Sequence, residues 1–131
     1  MDRRLYRRVH VGLDGAFIVR ENKPGFREFS GTIENISEGG IKISINEEEY
    51  ADITEQIEIG TKVLFQSFDE YVIYHEKKVD VFGGEAVVVR VEEADGRRMY
   101  GCSFTALQKE LADYISNKKL SLFLGNDCAW N

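Results

Sequence analysis

Four arginines, Arg3, Arg4, Arg7 and Arg8, fall within the first eight residues of the chain. All carry guanidinium rather than ammonium groups. A guanidinium fork matches two phosphate oxygens at once and stacks flat on an aromatic ring, which a lysine cannot do. The cluster runs straight into a strand-like stretch at Val9, so an arm carrying it would be tethered to the rim of a folded body. A second polar group follows at Asn35-Ile36-Ser37-Glu38-Gly39-Gly40. In extended backbone Asn35 and Ser37 point to one side and Ile36 to the other, toward a core. Asn offers both a donor and an acceptor, suited to the edge of a nucleobase. Gly40 leaves room for a ligand to approach the main chain. Taken singly, the first group also reads as a solvated basic tail and the second as a strand-connecting turn.

Other chemistry finds little support. His10 and His75 lie in no metal-ligand spacing with a cysteine and in no triad motif. Gly83-Gly84-Glu85 lacks the downstream Gly-Lys-Ser/Thr of a phosphate loop. Glu47, Glu48, Glu49, Asp52, Glu55 and Glu58 follow no cation-ligand spacing and read as a solvated connection. Cys102 and Cys128 are too few for a disulfide framework and read as free thiols in a reducing compartment. No catalytic residue, metal or cofactor is expected.

The two polar groups need elements to hold them, and most of the chain alternates with period two, the pattern of half-buried strands. Val9, Val11 and Leu13 alternate with His10 and Gly12. Asp14-Gly15 reads as a hairpin turn, after which Phe17 and Val19 resume the pattern. Asn22-Lys23-Pro24-Gly25 is a second turn. Phe29, Gly31 and Ile33 share a face, and Ile41, Ile43 and Ile45 alternate with Lys42 and Ser44. The stretch from Asn46 to Gly60 is expected to be an acidic loop with one short helical turn. Strands are expected again at 63–65, 71–74, 79–81 and 86–91, with Gly83-Gly84 a bulge or a close backbone approach. Asp95-Gly96 joins Val87-Val89-Val91 to Tyr100-Cys102-Phe104 as a hairpin.

After Phe104 the period changes. Thr105-Ala106-Leu107-Gln108 fits a capping box. Leu107, Leu111, Tyr114 and Ile115 then fall on one helical face. Lys118 and Lys119 sit near the expected helix end, where the dipole favours cations. Trp130 reads as a packing residue of the tail. The pattern is all-β, many short antiparallel strands closed by one amphipathic helix, as in a small barrel or sandwich.

The chain has 131 residues, the size of one domain. It is 43% hydrophobic and 31% charged, an ordinary globular balance that excludes wholesale disorder. Lysines and arginines number 17 against 23 aspartates and glutamates, for a net charge of -6. That balance argues against a protein that coats nucleic acid with its whole surface. No apolar run reaches the roughly 18 residues of a membrane span. Polar interruptions after the basic start spoil any secretory core. We read the chain as soluble and cytoplasmic.

Together, Arg4-Leu5-Tyr6-Arg7-Arg8 and Asn35-Ile36-Ser37-Glu38-Gly39-Gly40 resemble the PilZ domain family. Its pattern is Arg-x-x-x-Arg near the start, then Asp/Asn-x-Ser-x-x-Gly after a strand or two. Tyr100-Gly101-Cys102-Ser103-Phe104 and the helix that follows are similar to the family's last strand and C-terminal helix. The resemblance implies a six-stranded antiparallel β-barrel of the PilZ-like split type with a C-terminal amphipathic α-helix. It also implies binding of cyclic di-GMP, a bacterial second messenger with two phosphates and two guanines. Arg4 and Arg8 would contact phosphate, stack on guanine and reach its O6/N7 edge. Asn35 and Ser37 would hydrogen-bond a guanine or phosphate, and Gly40 would permit close contact. Arg3, Arg7 and Gly39 are secondary members of the set. Asn35 stands where the family more often has Asp.

The expected organisation is a flexible Arg-rich arm over 1–8, a barrel over 9–104, and a helix with its tail over 105–131. The expected function is that of a non-enzymatic receptor. Its arm orders around cyclic di-GMP, and an unidentified protein effector reads the new surface. With the motif starting at residue 3 and no effector segment evident on either side, that output would act in trans. Neither a nucleic acid polymer nor membrane insertion is expected. An alternative is an adaptor of the same fold that binds a protein partner and no nucleotide, but such members usually lack the arginines. A barrel for single-stranded nucleic acid would need cations and aromatics spread over a sheet face; the strands here carry few cations.

Overall fold

The computed structural model describes residues 9–20, 26–46 and 57–128. Six strands form a closed antiparallel barrel: β1 (Val9–Arg20), β2 (Phe26–Ile36), β3 (Gly40–Asn46), β4 (Lys62–Ile73), β5 (Glu76–Ala94) and β6 (Arg97–Phe104). Around the ring the order is β1-β2-β3-β6-β5-β4. One helix, α1 (Lys109–Cys128), follows. Alternation puts β-branched and aromatic side chains inward from every strand. Ile33, Ile43, Ile45, Val63, Val88 and Tyr100 are all fully buried. Phe17 on β1 stacks on its cross-strand partner Phe29 at 5.5 Å between ring centroids. The six-stranded all-β barrel and C-terminal helix inferred from the sequence are the observed fold.

Several local expectations are overturned. Asp14-Gly15 is not a turn. β1 runs straight through it, and Gly15 pairs on both sides, with Gly31 of β2 and Ser67 of β4. Ladder pairing on two edges overrides the local turn preference. The irregularity falls earlier, at a register shift between His10 and Leu13 where Gly12 has a φ of 64°. The stretches 63–65 and 71–73 belong to one strand, β4, and Tyr74 falls in the turn after it. The inward positions between them, Ser67 and Asp69, are polar and so interrupt the apolar alternation. Ser67 donates its hydroxyl to the Asp14 carbonyl at 2.6 Å, which satisfies it inside the wall.

A hairpin turn at Tyr74-His75 joins β4 to β5, with φ of 51° and 66°. It is a left-handed pair without glycine or asparagine, so its sequence carries no turn signal. Gly83-Gly84 is not a bulge, because the β4–β5 ladder passes it without a shift. It is a close approach: a Cβ on Gly83 would lie 2.5 Å from the Phe65 carbonyl oxygen. Asp95-Gly96 is a turn as expected, with both residues at positive φ. Alternation along β5 is interrupted before Val91, which packs against the core. Ala86 and Val88 are buried, a register shift follows, and Val89 is exposed. The expected turn at 22–25 and most of the acidic loop, 47–56, lie outside the described residues. At the end of that loop Ile57 is buried in the core.

The capping box is also overturned. α1 starts at Lys109, and the Thr105 hydroxyl donates to the carboxylate of Glu85 at 3.0 Å instead. Leu107 is therefore exposed and outside the helix, whereas Leu111, Tyr114 and Ile115 are buried beneath it. Lys118 and Lys119 stand mid-helix rather than at its end, and each is held by an acid of the barrel. Cys102 is a free, buried thiol whose pKa burial pushes up to about 12, so it packs as an apolar group.

Beyond the ring, β4 and β5 continue together as a projecting hairpin. β4 pairs with β1 only over Val63–Ser67, and β5 with β6 only from Ala86 onward. α1 covers the inner face of this hairpin. The Tyr114 ring stacks on Phe82 at 4.1 Å. Tyr114 donates its hydroxyl to Asp69 Oδ2 at 2.7 Å, and Lys118 Nζ lies 2.9 Å from the same oxygen. Tyr71 donates to Asp80. Burial, then the Asp80 carboxylate, pushes the Tyr71 phenol up to about 12. Burial, then Asp69, raises Tyr114 as well. Asp69 is almost wholly buried, so removing either of its two donors would leave its charge poorly compensated. Lys118→Met is expected to lower stability by about 3 kcal/mol, as when one partner of a buried pair is removed. Tyr114→Phe is expected to cost about 1–2 kcal/mol, since the lysine remains. Urea unfolding followed by circular dichroism checks both values and their order.

Candidate ligand-binding site

The turn between β2 and β3 gathers the second polar group. Ser37 N–H donates to the Gly40 carbonyl at 2.9 Å, closing a tight connection over Glu38 and Gly39. Gly39 N–H donates to Ser37 Oγ at 3.2 Å. That accepting role leaves the hydroxyl hydrogen to serve another acceptor. The Gly39 carbonyl accepts from Phe104 N–H at 3.0 Å, which ties the turn to the end of β6. Ile36 is fully buried, although alternation continued from Ile33 would turn it outward. Asn35 and Ser37 are 7% and 6% exposed, more enclosed than side chains standing freely on a rim. The β2–β3 register shifts between Ile33 and Asn35, which re-aims this end of β2. Gly40 has a structural role: a Cβ there would lie 2.0 Å from the Cys102 carbonyl oxygen. The close approach that needs this glycine is made by β6.

Arg3, Arg4, Arg7 and Arg8 lie outside the described residues. Their attachment point does not. Val9 is the Cα partner of Ile36, and His10 that of Asn35. The chain that carries the arginines therefore enters the barrel beside the Asn35–Gly40 turn. His10 is exposed at that register position, a neighbour of the turn that alternation alone could not reveal.

Glu38 and Lys119 are a further pair that sequence reasoning missed. Lys119 on α1 donates to Glu38 Oε1 at 2.6 Å, joining the turn to the helix across 81 positions. No one-dimensional signal marks such a contact. Among the described residues no cluster of His, Cys, Asp or Glu could hold a metal ion. No helix among them is long and apolar enough to cross a membrane.

A family profile described as PilZ domain matches residues 2–117. No curated protein sequence matches significantly. Among solved structures, the chain is similar to the Bacillus subtilis inhibitor of motility MotI/DgrA, with a TM-score of 0.63 and 20% identity. That match covers 92% of this chain and 53% of the other. It is also similar to the PilZ domain of Escherichia coli YcgR, solved with c-di-GMP, at a TM-score of 0.59 and 14% identity over 97% and 95% of the two chains. A third is the K. pneumonia MrkH–c-di-GMP complex, at 0.61 and 14%, over 98% of this chain and 56% of that one. The chain thus spans about half the length of the MotI and MrkH chains.

The Glu38–Lys119 pair is partly screened, each side chain keeping a quarter to a third of its surface exposed. Burial raises the Glu38 carboxyl pKa. The hydrogen bond from Lys119, one from the Glu38 backbone and the Lys119 charge outweigh that and hold it below the ordinary 4.5. A depressed carboxyl contributes stability that is present above its unfolded pKa and lost as pH falls through the lower folded value. Glu38→Gln is therefore expected to cost about 0.5–1 kcal/mol at pH 7. The difference from the parent protein should shrink to nothing as the pH falls below 4.5 through the folded value, which parallel urea titrations at several pH values would measure.

Proposed function

The chain belongs to the PilZ domain family, and on that premise we propose that it is a non-enzymatic cyclic di-GMP receptor whose arginine arm closes on ligand held at the Asn35–Gly40 turn. The observation that carries this reading is the strand register. With Val9 opposite Ile36 and His10 opposite Asn35, Arg8 is one peptide bond from the strand that flanks the turn. Arg4 is five residues before Val9, within about 17 Å of extended chain. The two groups can therefore converge on one anion. YcgR's PilZ domain and MrkH, which share the fold, were solved with c-di-GMP, and this adds weight to the choice of ligand.

The roles follow from chemistry. Arg4 and Arg8 supply charge-assisted forks for phosphate and flat cations for guanine. Arg3 and Arg7, with the same spacing one residue earlier, are secondary. Asn35 offers a donor and an acceptor to a base edge, and Ser37 offers its remaining hydroxyl hydrogen. Both are nearly covered, so binding exchanges protein contacts around them for ligand contacts. Ordering the arm costs conformational entropy, which the charge-assisted contacts must exceed. The arm so ordered is the surface that an effector protein would read, by direct contact rather than catalysis.

Isothermal titration with cyclic di-GMP is expected to show binding. Arg8→Ala should weaken it by about 2 kcal/mol or more, roughly 30-fold. Asn35→Ala should cost about 1 kcal/mol, and Arg3→Ala less than Arg4→Ala. Absence of heat and of any thermal shift at tens of micromolar ligand, or an Arg8→Ala protein that binds as well as its parent, would reject the reading.

A further inference from the structure

The projecting β4–β5 hairpin has one face under α1 and one face bare. On the bare face Phe68, Val79 and Val81 are 58%, 56% and 63% exposed. Phe68 and Val81 are Cα partners, and Val79 lies two residues along β5 on the same side. Exposed Leu64 and Val72 extend the run along β4. Single exposed apolar side chains are ordinary, but five sharing one sheet face form a patch.

Two open grooves flank the run. One, of ≈ 800 Å³, lies where β1 parts from β4 after the Gly15–Ser67 pair, between Asp14 and Ser30 on one side and Phe68, Val79 and Val81 on the other. The second, of ≈ 420 Å³, lies between Ile18, Leu64 and the start of α1. They share Ala16, Gln66 and Val81, so they form one continuous surface. Among the described residues that line them, the charged side chains are acidic: Asp14 in the first, Glu28 and Glu110 in the second. At the far end of the run the charges balance: Glu70, the cross-strand partner of Val79, pairs at 3.1 Å with Lys77, the partner of Val72, so the acidic border is that of the grooves beside Phe68 and Val81.

An apolar floor with an acidic border selects its occupant. Carboxylates repel a cyclic dinucleotide, a nucleic acid backbone and an anionic membrane alike. A second copy presenting the same face would set acid against acid. We propose that this face docks a segment of a partner protein whose apolar side chains are flanked by lysines or arginines. The apolar side chains would cover Phe68 and Val81, and the cations would meet Asp14, Glu28 and Glu110. This surface is distinct from the Asn35–Gly40 turn and does not depend on nucleotide binding.

The test uses the full chain and a fluorescein-labelled, 14-residue amphipathic peptide of leucine and lysine, with the matching leucine–glutamate peptide as its opposite. Fluorescence anisotropy is expected to show the lysine peptide binding at least tenfold more tightly. Phe68→Lys and Val81→Lys should each weaken it at least tenfold. Val89→Lys, the same charge change at an exposed site elsewhere on β5, should leave it unaltered. Amide shifts in a two-dimensional NMR titration of the unmodified protein should fall on 14–18, 64–68 and 79–83, which decides the matter even if a variant fails to fold. Equal binding of the two peptides, equal loss in Val89→Lys, or shifts mapping elsewhere would overturn the proposal. So would binding to phosphatidylglycerol vesicles through these residues, or sedimentation as a dimer that Val81→Lys dissociates.

Discussion

Closure of the ring by β1 is the constraint on which the molecule depends. β1 pairs with β2 along one edge and with β4 along the other. A strand held on both sides cannot slip by one residue without turning the buried Phe17 and Val19 outward and leaving the smaller Ala16 and the half-exposed Ile18 to fill their places. The register is therefore fixed, and with it the place where the chain enters the barrel. Past the shift between His10 and Leu13, Val9 lies against Ile36, so the segment bearing the arginines starts beside the Asn35–Gly40 turn. The adjacency of Val9 to Ile36, distant in sequence, is a consequence of how the barrel closes.

The helix answers a second problem. β4 and β5 outrun the strands beside them, and their inner face would otherwise expose Tyr71, Ile73 and Phe82. α1 covers that face with Leu111, Tyr114 and Ile115. It is located by polar contacts as much as by apolar ones. Asp69 is buried with two donors from the helix, and removing either leaves a charge poorly solvated. Consecutive lysines face different parts of the barrel, Lys118 meeting Asp69 on β4 and Lys119 meeting Glu38 in the β2–β3 turn. One helix thus touches both the candidate ligand turn and the hairpin whose outer face is bare.

Much of this was legible in the residues. Ile41, Ile43 and Ile45 announced β3, and the aromatic and β-branched alternation announced most other strands, because burial on one face imposes period two. Asp95-Gly96 announced its hairpin. The errors share a cause. At Asp14-Gly15 and Thr105-Gln108 a local preference was strong but tertiary pairing used the residues otherwise. At Ser67 and Asp69 the inward positions are polar because distant groups, the Asp14 carbonyl and the Tyr114 and Lys118 donors, satisfy them there. At Tyr74-His75 the turn is made by residues that seldom adopt it.

What the sequence determined unaided was the class of the fold, most of the stretches that form strands and the chemical character of the two polar groups. These depend on side-chain type and on short periods, which are local properties of a chain. What only the tertiary structure decided was adjacency: Val9 against Ile36, Lys119 against Glu38, Gly40 against the Cys102 carbonyl, and one apolar face of β4–β5 covered while the other is bare. Such contacts join residues tens of positions apart. They are set by how the strands close and where the helix lands, and the spacing of residues along the chain does not encode them.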